Sequence, residues 1–379
     1  MANVFDYLDW RGDLDFCNDP FNAVDNIIFS IISYYPFDGI VSGEFKTNTI
    51  PLPEAAKALI ELIKKDPNVE HKFVFGQNQI NFLTRLAEAP RYHDCILCGY
   101  VNKVDIAREM QFSAVTILAP KTPPYIAFRG TDSAIVGWKE DFNMILNDTI
   151  PAQLEAASYL NNAAKYLSGG INTGGHSKGG NLAVYAAAFC DKSVQDGIGA
   201  IYSNDAPGFN KKIITSDQYN AIETKIDCYI PEGSVVGLLF EYVKNYKVVK
   251  SSETGLMQHD PFSWEVKGKD LVHIPAVSKH SIAVNDVLME WLENMDYQTR
   301  TVFVETLFNV VNDANIKSTY DFTENKLKNA AMLIKSLHTV DGESKKMLLK
   351  TFSALIKIAN HKIFVDVNDK LRENMHITQ

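Results

Sequence analysis

The sequence has few cysteines, no excess of positive charge and no long apolar run. Five cysteines spread over 379 residues favour free buried thiols in a reducing compartment over a disulfide framework. A net charge of −9 argues against nucleic acid or an anionic membrane as the main partner, because both require a basic surface. The expected partner is therefore a neutral small molecule or a protein, and no pattern indicates an oligomeric state.

Membrane insertion and export are also not indicated. No apolar segment approaches the ~18 residues that a membrane helix requires. The first residues, "MANVFDYLDWRGDLDF", lack the basic start and apolar block of a signal peptide. We therefore expect a cytoplasmic protein without stable membrane insertion.

Sites for metals and organic cofactors are not predicted either. Cys95 and Cys98 form a C-x-x-C with His93 just before it, but no second ligand pair completes a zinc site. We interpret both cysteines as packing residues. The glycine-rich segment 171–190 has neither G-x-x-x-x-G-K-[ST] nor G-x-G-x-x-G, which argues against a phosphate cradle.

The chain divides into three parts by its hydrophobic pattern. Residues 1–110 look mainly helical, with amphipathic segments "LPEAAKALIELIKK" and "NQINFLTRLAEAPRY", and are expected to pack on the core. Residues 278–379 are predicted to form a C-terminal helical subdomain. Apolar positions recur there at helical spacing, namely Phe303, Leu307, Val310 and Val311, then Leu348, Phe352, Leu355 and Ile356.

The middle part, residues 111–277, alternates short β-branched runs with helical segments. The strand candidates are "AVTILAP", "PYIAFRG", the run from Ile171, "IGAIYSNDAPG", "KIDCYIPEG" and "YKVVKSS". This order predicts an α/β fold with a largely parallel sheet and helices on both faces. Functional residues are expected in the loops at the carboxyl ends of the strands.

The segment "INTGGHSKGGNLAVYAAAFC" contains G-x-S-x-G at Gly175 to Gly179. It reads as strand, sharp turn and helix, the setting of the nucleophile elbow of α/β-hydrolases. Glycines are needed because the turn brings backbone close to the serine. Ser177 is therefore the candidate nucleophile, and the Lys178 amide at the start of the helix is a candidate oxyanion donor.

A second donor is expected from the loop after an earlier strand, in "PPYIAFRGTDSAIVGWKEDF". The backbone amide of Thr131 is the candidate, and its hydroxyl is a further possible donor. Arg129 and Asp132 are expected to form an ion pair that fixes this loop. Trp138 is predicted to lie in the core.

The base and the acid have several candidates. Hydrolases of this type have the order serine, acid, histidine along the chain, and His259 in "GLMQHDPFSWEV" follows the last strand candidate, although His273 and His280 are also late enough. Asp205 and Glu232 each follow a strand and are the two candidates for the acid. A cap or turn before Pro207 is an equal explanation of Asp205.

The motifs together resemble the Mbeg1-like proteins, a bacterial group of α/β-hydrolases related to class 3 lipases. The similar segments are "DYLDWRGDLDF…PFNAVDNIIFSIISY", "FRGTD", "GGHSKGGNLAVYAA", "NDAPGF", "SVVGLL" and "QHDPFSW". They extend over most of the chain to about residue 310.

The resemblance to class 3 lipases implies Ser177 as nucleophile, Thr131 and Lys178 as oxyanion donors and His259 as general base. The acid departs from that pattern, because Ser234-Val235-Val236-Gly237 stands where those lipases carry an aspartate. Asp205 or Glu232 would then have to replace it.

The sequence therefore predicts a serine hydrolase of the esterase or lipase-like type that acts on a small-molecule ester through an acyl-enzyme and needs no cofactor or metal. One alternative is a catalytically silent hydrolase fold that serves as a binding or scaffold protein. Another is a thioesterase, peptidase or acyltransferase that uses the same site.

Overall fold

Strands and helices alternate through the middle of the chain around one central sheet. The computed structural model describes residues 1–66, 69, 73–132, 134–240, 245–313, 342–346 and 349–350. Its strands are β1 Ile50–Pro51, β2 Ile96–Asp105, β3 Met110–Leu118, β4 Tyr125–Phe128, β5 Ile171–His176, β6 Ile198–Asn204, β7 Ile226–Pro231, β8 Tyr246–Val249, β9 Val266–Lys267, β10 Asp270–Leu271 and β11 His273–Ile274. Its α-helices are α1 Val4–Arg11, α2 Ala23–Ile32, α3 Leu52–Lys65, α4 Gly76–Glu88, α5 Ile135–Asn143, α6 Pro151–Ala164, α7 Lys178–Phe189, α8 Lys192–Asp196, α9 Lys211–Ile214, α10 Asp217–Asn220, α11 Lys279–Glu293 and α12 Tyr297–Asp313.

The described strands form a nine-stranded sheet in the order β1-β2-β3-β4-β5-β6-β7-β8-β11, and β9 pairs with β10 separately. Strands β4 to β8 are parallel to one another. The flanking pairs from β1 to β4, and β8 with β11, are antiparallel. This mixed sheet between helices confirms the predicted α/β-hydrolase-like fold.

The two faces of the sheet are covered by different helices. On β4, Tyr125 and Ala127 belong to the same buried cluster as the apolar residues of α2. Phe128 points to the opposite face, where its ring meets Tyr159 of α6 at 6.0 Å between centroids. A parallel strand buried on both sides has no polar face, which explains its continuously apolar sequence.

Helix α2 is buried along nearly its whole length. Every residue from Val24 to Ile32 is buried, so the helix lacks the polar stripe of a surface helix. Its start is fixed by a capping box, in which Asn22 accepts from the first turn and Asp25 accepts from the Asn22 amide. The N-terminal part of the chain thus places a helix directly against the strands of the sheet.

The helices predicted in this N-terminal part are confirmed. Helix α3 opens with prolines and ends with two lysines, and α4 ends shortly before Pro90. The strands predicted after residue 111 are confirmed as β3 to β8. Cys95 and Cys98 are buried free thiols, which confirms that they are packing residues, and burial raises the pKa of Cys98 to about 11.

The sheet starts earlier in the chain than residue 111, because β1 and β2 precede that position. The first half of β2 is buried, but Asn102, Lys103 and Val104 are exposed. This mixture of burial along one strand hides the period of two on which strand prediction depends. The division of the chain at residue 110 into an N-terminal part and a core stays a prediction.

The chain forms two compact units. One consists of residues 1–141 and 148–277 and contains the sheet. The other consists of residues 142–147 and 278–379. No helix among the described residues is long and apolar enough to span a membrane.

The second unit contains α11 and α12. Trp291 of α11 meets Phe303 of α12 edge to face, with 5.3 Å between ring centroids, and Phe303 and Val311 are buried. Phe303 and Val311 fit the first of the two predicted apolar stripes, which lies on α12. The side chain of Val310 and the whole second stripe, Leu348, Phe352, Leu355 and Ile356, lie outside the described residues.

Candidate active site

The carboxyl ends of the central parallel strands are in register. Phe128, the last residue of β4, lies opposite Gly175 of β5. His176, the last residue of β5, lies opposite Asn204, the last residue of β6. Residues that follow β4, β5 and β6 therefore emerge at the same edge of the sheet, where sites of parallel sheets are built.

Ser177 stands alone between β5 and α7, which confirms the predicted strand, turn and helix. Its backbone is at φ 58° and ψ −136°, a conformation that a residue with a side chain adopts only when its surroundings enforce it. The surroundings do so through close backbone contact. A Cβ at Gly175 would lie 2.4 Å from the Gly179 carbonyl carbon, and one at Gly179 would lie 2.1 Å from the Phe128 oxygen.

His259 and Asp205 are hydrogen-bonded. His259 Nδ1 lies 2.6 Å from Asp205 Oδ2, and the Asp205 side chain is only 1% exposed. Because the carboxylate oxygen accepts, the imidazole donates from Nδ1 and leaves Nε2 as the available base. Asp205 follows β6, directly after the residue that lies opposite His176.

The Asp205 carboxylate is held by Ser234 and Gly237, which follow β7. Ser234 Oγ donates to Asp205 Oδ1 at 2.5 Å, and the Gly237 amide donates to the same oxygen at 3.1 Å. A Cβ at Gly237 would come within 2.5 Å of that oxygen. The backbone of Asp205 is itself at φ 46°, and its amide donates to the Tyr229 carbonyl at 2.7 Å.

Glu232, His273 and His280 were the other sequence candidates for acid and base. Glu232 is exposed at the end of β7, and its amide donates to the Val249 carbonyl. His273 lies on β11 with Nε2 at 3.2 Å from Asp270, and His280 lies in α11. Of the sequence candidates, the structure brings Asp205 and His259 together.

The two candidate oxyanion donors follow β4 and β5. Lys178 is the first residue of α7, and the first amides of a helix have no acceptor within the helix. Thr131 follows β4, and its hydroxyl donates to Asp141 Oδ2 at 2.6 Å. The carboxylate thus engages the Thr131 hydroxyl that the sequence offered as a further donor, and the Thr131 backbone amide remains the candidate.

The Lys178 side chain forms a buried ion pair that the sequence did not reveal. Its Nζ lies 2.9 Å from Glu140 Oε2, with side-chain exposures of 2% and 0%, and 3.6 Å from Asp141 Oδ1. Glu140 also accepts from the amides of Gln111 and Ala152. Burial raises the pKa of Asp141, and the nearby Glu140 adds to the rise, against the effect of Lys178. The only sequence signal was a pair of adjacent acids in "WKEDF".

The loop after β4 differs from expectation at one position. Arg129 and Asp132 form the predicted ion pair, at 3.3 Å. The prediction that Trp138 lies in the core is wrong, because Trp138 is 45% exposed. Helix α5 turns Gly137 and Glu140 inward, and at 100° per residue this leaves Trp138 on the outer side.

Two further residues beside the elbow were not singled out from the sequence. The buried imidazole of His176 contacts the carbonyl oxygen of His259 through Nε2 at 2.7 Å. The hydroxyl of Tyr34, just after α2, lies 3.1 Å from His176 Nδ1. Tyr34 and His176 are 142 positions apart, so no local pattern connects them.

Comparison with known proteins gives a family for the chain. The family model described as Mbeg1-like matches residues 86–309, more than half of the sequence. The chain belongs to the Mbeg1-like family. The match includes the segments that carry Thr131, Ser177, Asp205 and His259. No curated protein matches the chain.

Within this family member, the described residues hold no group of three or more His, Cys, Asp or Glu side chains arranged for a metal ion. A hydroxyl on a strained turn, an imidazole oriented by a buried carboxylate and two backbone amides are the components of nucleophilic acyl transfer.

Proposed function

We propose that this Mbeg1-like protein is a serine hydrolase that cleaves carboxylic esters of neutral small molecules. The observation that carries the proposal is the 2.6 Å contact between His259 Nδ1 and the buried Asp205 carboxylate. It supplies an oriented base at the sheet edge where Ser177 stands. In this proposal the acid is Asp205, which follows β6, and the aspartate that class 3 lipases carry at the position of Ser234–Gly237 is not needed.

In the proposed reaction, Ser177 Oγ attacks the ester carbonyl carbon while His259 Nε2 takes the hydroxyl proton. The amides of Thr131 and Lys178 stabilise the oxyanion. The intermediate collapses, the alcohol leaves with the proton from His259, and an acyl-enzyme remains. Water, deprotonated by the same imidazole, then attacks the acyl-enzyme; the bond to Ser177 Oγ breaks, His259 returns the proton to that oxygen, and the carboxylic acid is released.

The buried Asp205 stabilises the imidazolium that forms in both steps. Ser234 and the Gly237 amide fix the other carboxylate oxygen, so that Oδ2 remains directed at His259.

The proposal is tested by labelling the purified protein with a fluorophosphonate probe, followed by a panel of p-nitrophenyl esters and thioesters of increasing chain length. We expect the wild type to label, Ser177→Ala to lose labelling and His259→Ala to lose most of it. Ser193→Ala, at an exposed serine of α8, is the matched control and should label like the wild type.

A folded wild-type protein that neither labels nor hydrolyses any member of the panel would overturn the proposal in favour of a binding or scaffold protein. Labelling with a strong preference for thioesters would keep the nucleophile but replace the ester by a thioester as the substrate class.

A further inference from the structure

The loop that carries His259 has little regular structure of its own. His259 is the last residue of a short 3-10 turn, Gly255–His259, and Met257 in the same turn is 64% exposed. A base at such a position cannot rely on strand or helix hydrogen bonds to keep it at a fixed distance from a nucleophile. Other contacts must hold the loop.

One of these contacts comes from the residue beside the nucleophile. His176 Nε2 lies 2.7 Å from the His259 carbonyl oxygen, and the two imidazole rings are 4.5 Å apart between centroids. A carbonyl oxygen only accepts hydrogen bonds, so Nε2 of His176 must carry the proton. The elbow itself therefore donates a hydrogen bond to the backbone of the proposed base.

Tyr34 contacts the other ring nitrogen of His176, Nδ1, which is the acceptor in the tautomer that the His259 carbonyl requires. Burial lowers the pKa of His176 well below its usual value, and the nearby His259 contributes to the decrease, so the ring is neutral. With the proton on Nε2, Nδ1 is an acceptor, and the Tyr34 hydroxyl lies 3.1 Å from it. The same hydroxyl is 3.2 Å from the His176 carbonyl, and burial raises the pKa of Tyr34 so that it keeps its proton.

We propose that Tyr34 and His176 are a positioning pair that holds the His259 loop against the nucleophile elbow. This inference rests on the proposed function, in which His259 must accept the Ser177 proton. Tyr34 lies outside residues 86–309, the range matched by the family model. The site therefore depends on the segment after α2 as well as on the matched region.

Packing alone is the competing explanation, since His176 also contacts the rings of Phe75 and Trp264. The two explanations differ in which side chains can replace it. A glutamine amide can place its nitrogen near the position of Nε2 and donate to the His259 carbonyl. A phenylalanine fills the space but donates nothing.

The test compares His176→Gln, His176→Phe and Tyr34→Phe in the full-length protein, using kcat and KM for the best ester of the panel. We expect His176→Phe to lower kcat about 10- to 100-fold, because a small displacement of a reacting group has effects of this size, with KM changed less than about threefold. The kcat of His176→Gln should be close to that of the wild type. The kcat of Tyr34→Phe should lie between those of His176→Phe and the wild type. Tyr35→Phe is the matched control, since it removes a buried hydroxyl that binds the Gln79 carbonyl, and its kcat should stay at the wild-type value.

A second measurement does not depend on activity. In protein labelled with ¹⁵N-histidine, His176 should show the Nε2–H tautomer. The proton between His259 Nδ1 and Asp205 should give a downfield ¹H signal. That signal should be lost or broadened in His176→Phe but retained in His176→Gln.

Equal kcat values for His176→Gln and His176→Phe, or a downfield signal unaffected by His176→Phe, would overturn the positioning role. If the wild type is inactive and the NMR signals behave as expected, the proposed function fails while the pair is still shown to hold the loop.

Discussion

His259 Nδ1 and Asp205 Oδ2 are 2.6 Å apart, although the two residues are separated by 54 positions in the chain. The contact depends on two turns at the same sheet edge. Asp205 leaves β6 in a left-handed conformation, and His259 arrives from the short turn after β8. It makes Asp205 the residue to test first as the acid.

Replacing Asp205 by asparagine should lower kcat/KM by about 100- to 10,000-fold, because an asparagine can hold the imidazole in the wrong tautomer and does not stabilise the imidazolium. Asparagine tolerates a positive φ, so the fold should persist. Glu232→Gln is the control and should change kcat/KM by less than about twofold. Loss of activity in Glu232→Gln with an active Asp205→Asn would reverse the assignment of the acid.

Ser234 is expected to act through Asp205. Ser234→Ala removes a hydrogen bond to a buried carboxylate, a change worth about 1.5–3 kcal/mol, and should lower kcat by about tenfold or more. The activity loss should be much smaller in the Asp205→Asn background, because the carboxylate is already absent. Additive losses in a double-mutant cycle would show that Ser234 acts independently of Asp205.

The strain at Ser177 predicts a difference between two substitutions. Ser177→Gly relieves the positive φ, which costs a residue with a side chain about 1–3 kcal/mol, but the extra freedom of glycine in the unfolded chain offsets part of the gain. We expect a net increase in the free energy of unfolding of about 1 kcal/mol relative to Ser177→Ala, which keeps the strain. Urea unfolding of both variants measures it, and equal stabilities would argue against a strained elbow.

Local features of the site could be predicted from the sequence, and contacts between distant segments could not. The elbow was predictable because strand, glycines and helix follow one another within "INTGGHSKGGNLAVYAA". The sequence could not distinguish between Asp205 and Glu232, because both residues follow strands and only the fold shows that Asp205 is buried. No sequence pattern pointed to Tyr34, because its partner His176 lies in a distant segment of the chain.

The error at Trp138 has a similar origin. Its size and apolar character suggest a core residue, but the inward face of α5 is set by Glu140, whose burial requires a partner. That partner, Lys178, lies 38 positions further along the chain. The face of α5 that carries the buried charge pair therefore lies inward, and Trp138 is left exposed.

Breaking the Lys178–Glu140 pair should be costly. Lys178→Met leaves Glu140 buried without its cation and should lower the free energy of unfolding by about 3–5 kcal/mol. Combining it with Glu140→Gln should cost less than the sum of the single changes. Lys192→Met, at an exposed pair with Asp196, is the control, with an expected cost of about 0–1 kcal/mol. A Lys178→Met protein as stable as this control would mean that the buried pair contributes little.

The carboxyl of Asp260, next to His259, predicts a dependence of stability on pH. Burial raises the pKa of Asp260 to about 6, so the folded protein binds this proton more tightly than the unfolded chain. Ionisation therefore costs stability, which should fall as the pH rises from about 4 through 6. Asp260→Asn removes that cost while its side-chain oxygen can still accept from the Phe262 amide, as Asp260 does at 2.9 Å.

The gain in unfolding free energy from Asp260→Asn should be near zero at pH 4 and reach about 1–3 kcal/mol at pH 8. Urea unfolding of both proteins across this range measures it. Asp286→Asn, at a residue of α11, is a control for the loss of one negative charge and should show no such trend. A gain that is constant with pH would mean that the Asp260 carboxyl ionises without penalty, and that its burial beside His259 is offset by the hydrogen bond it accepts.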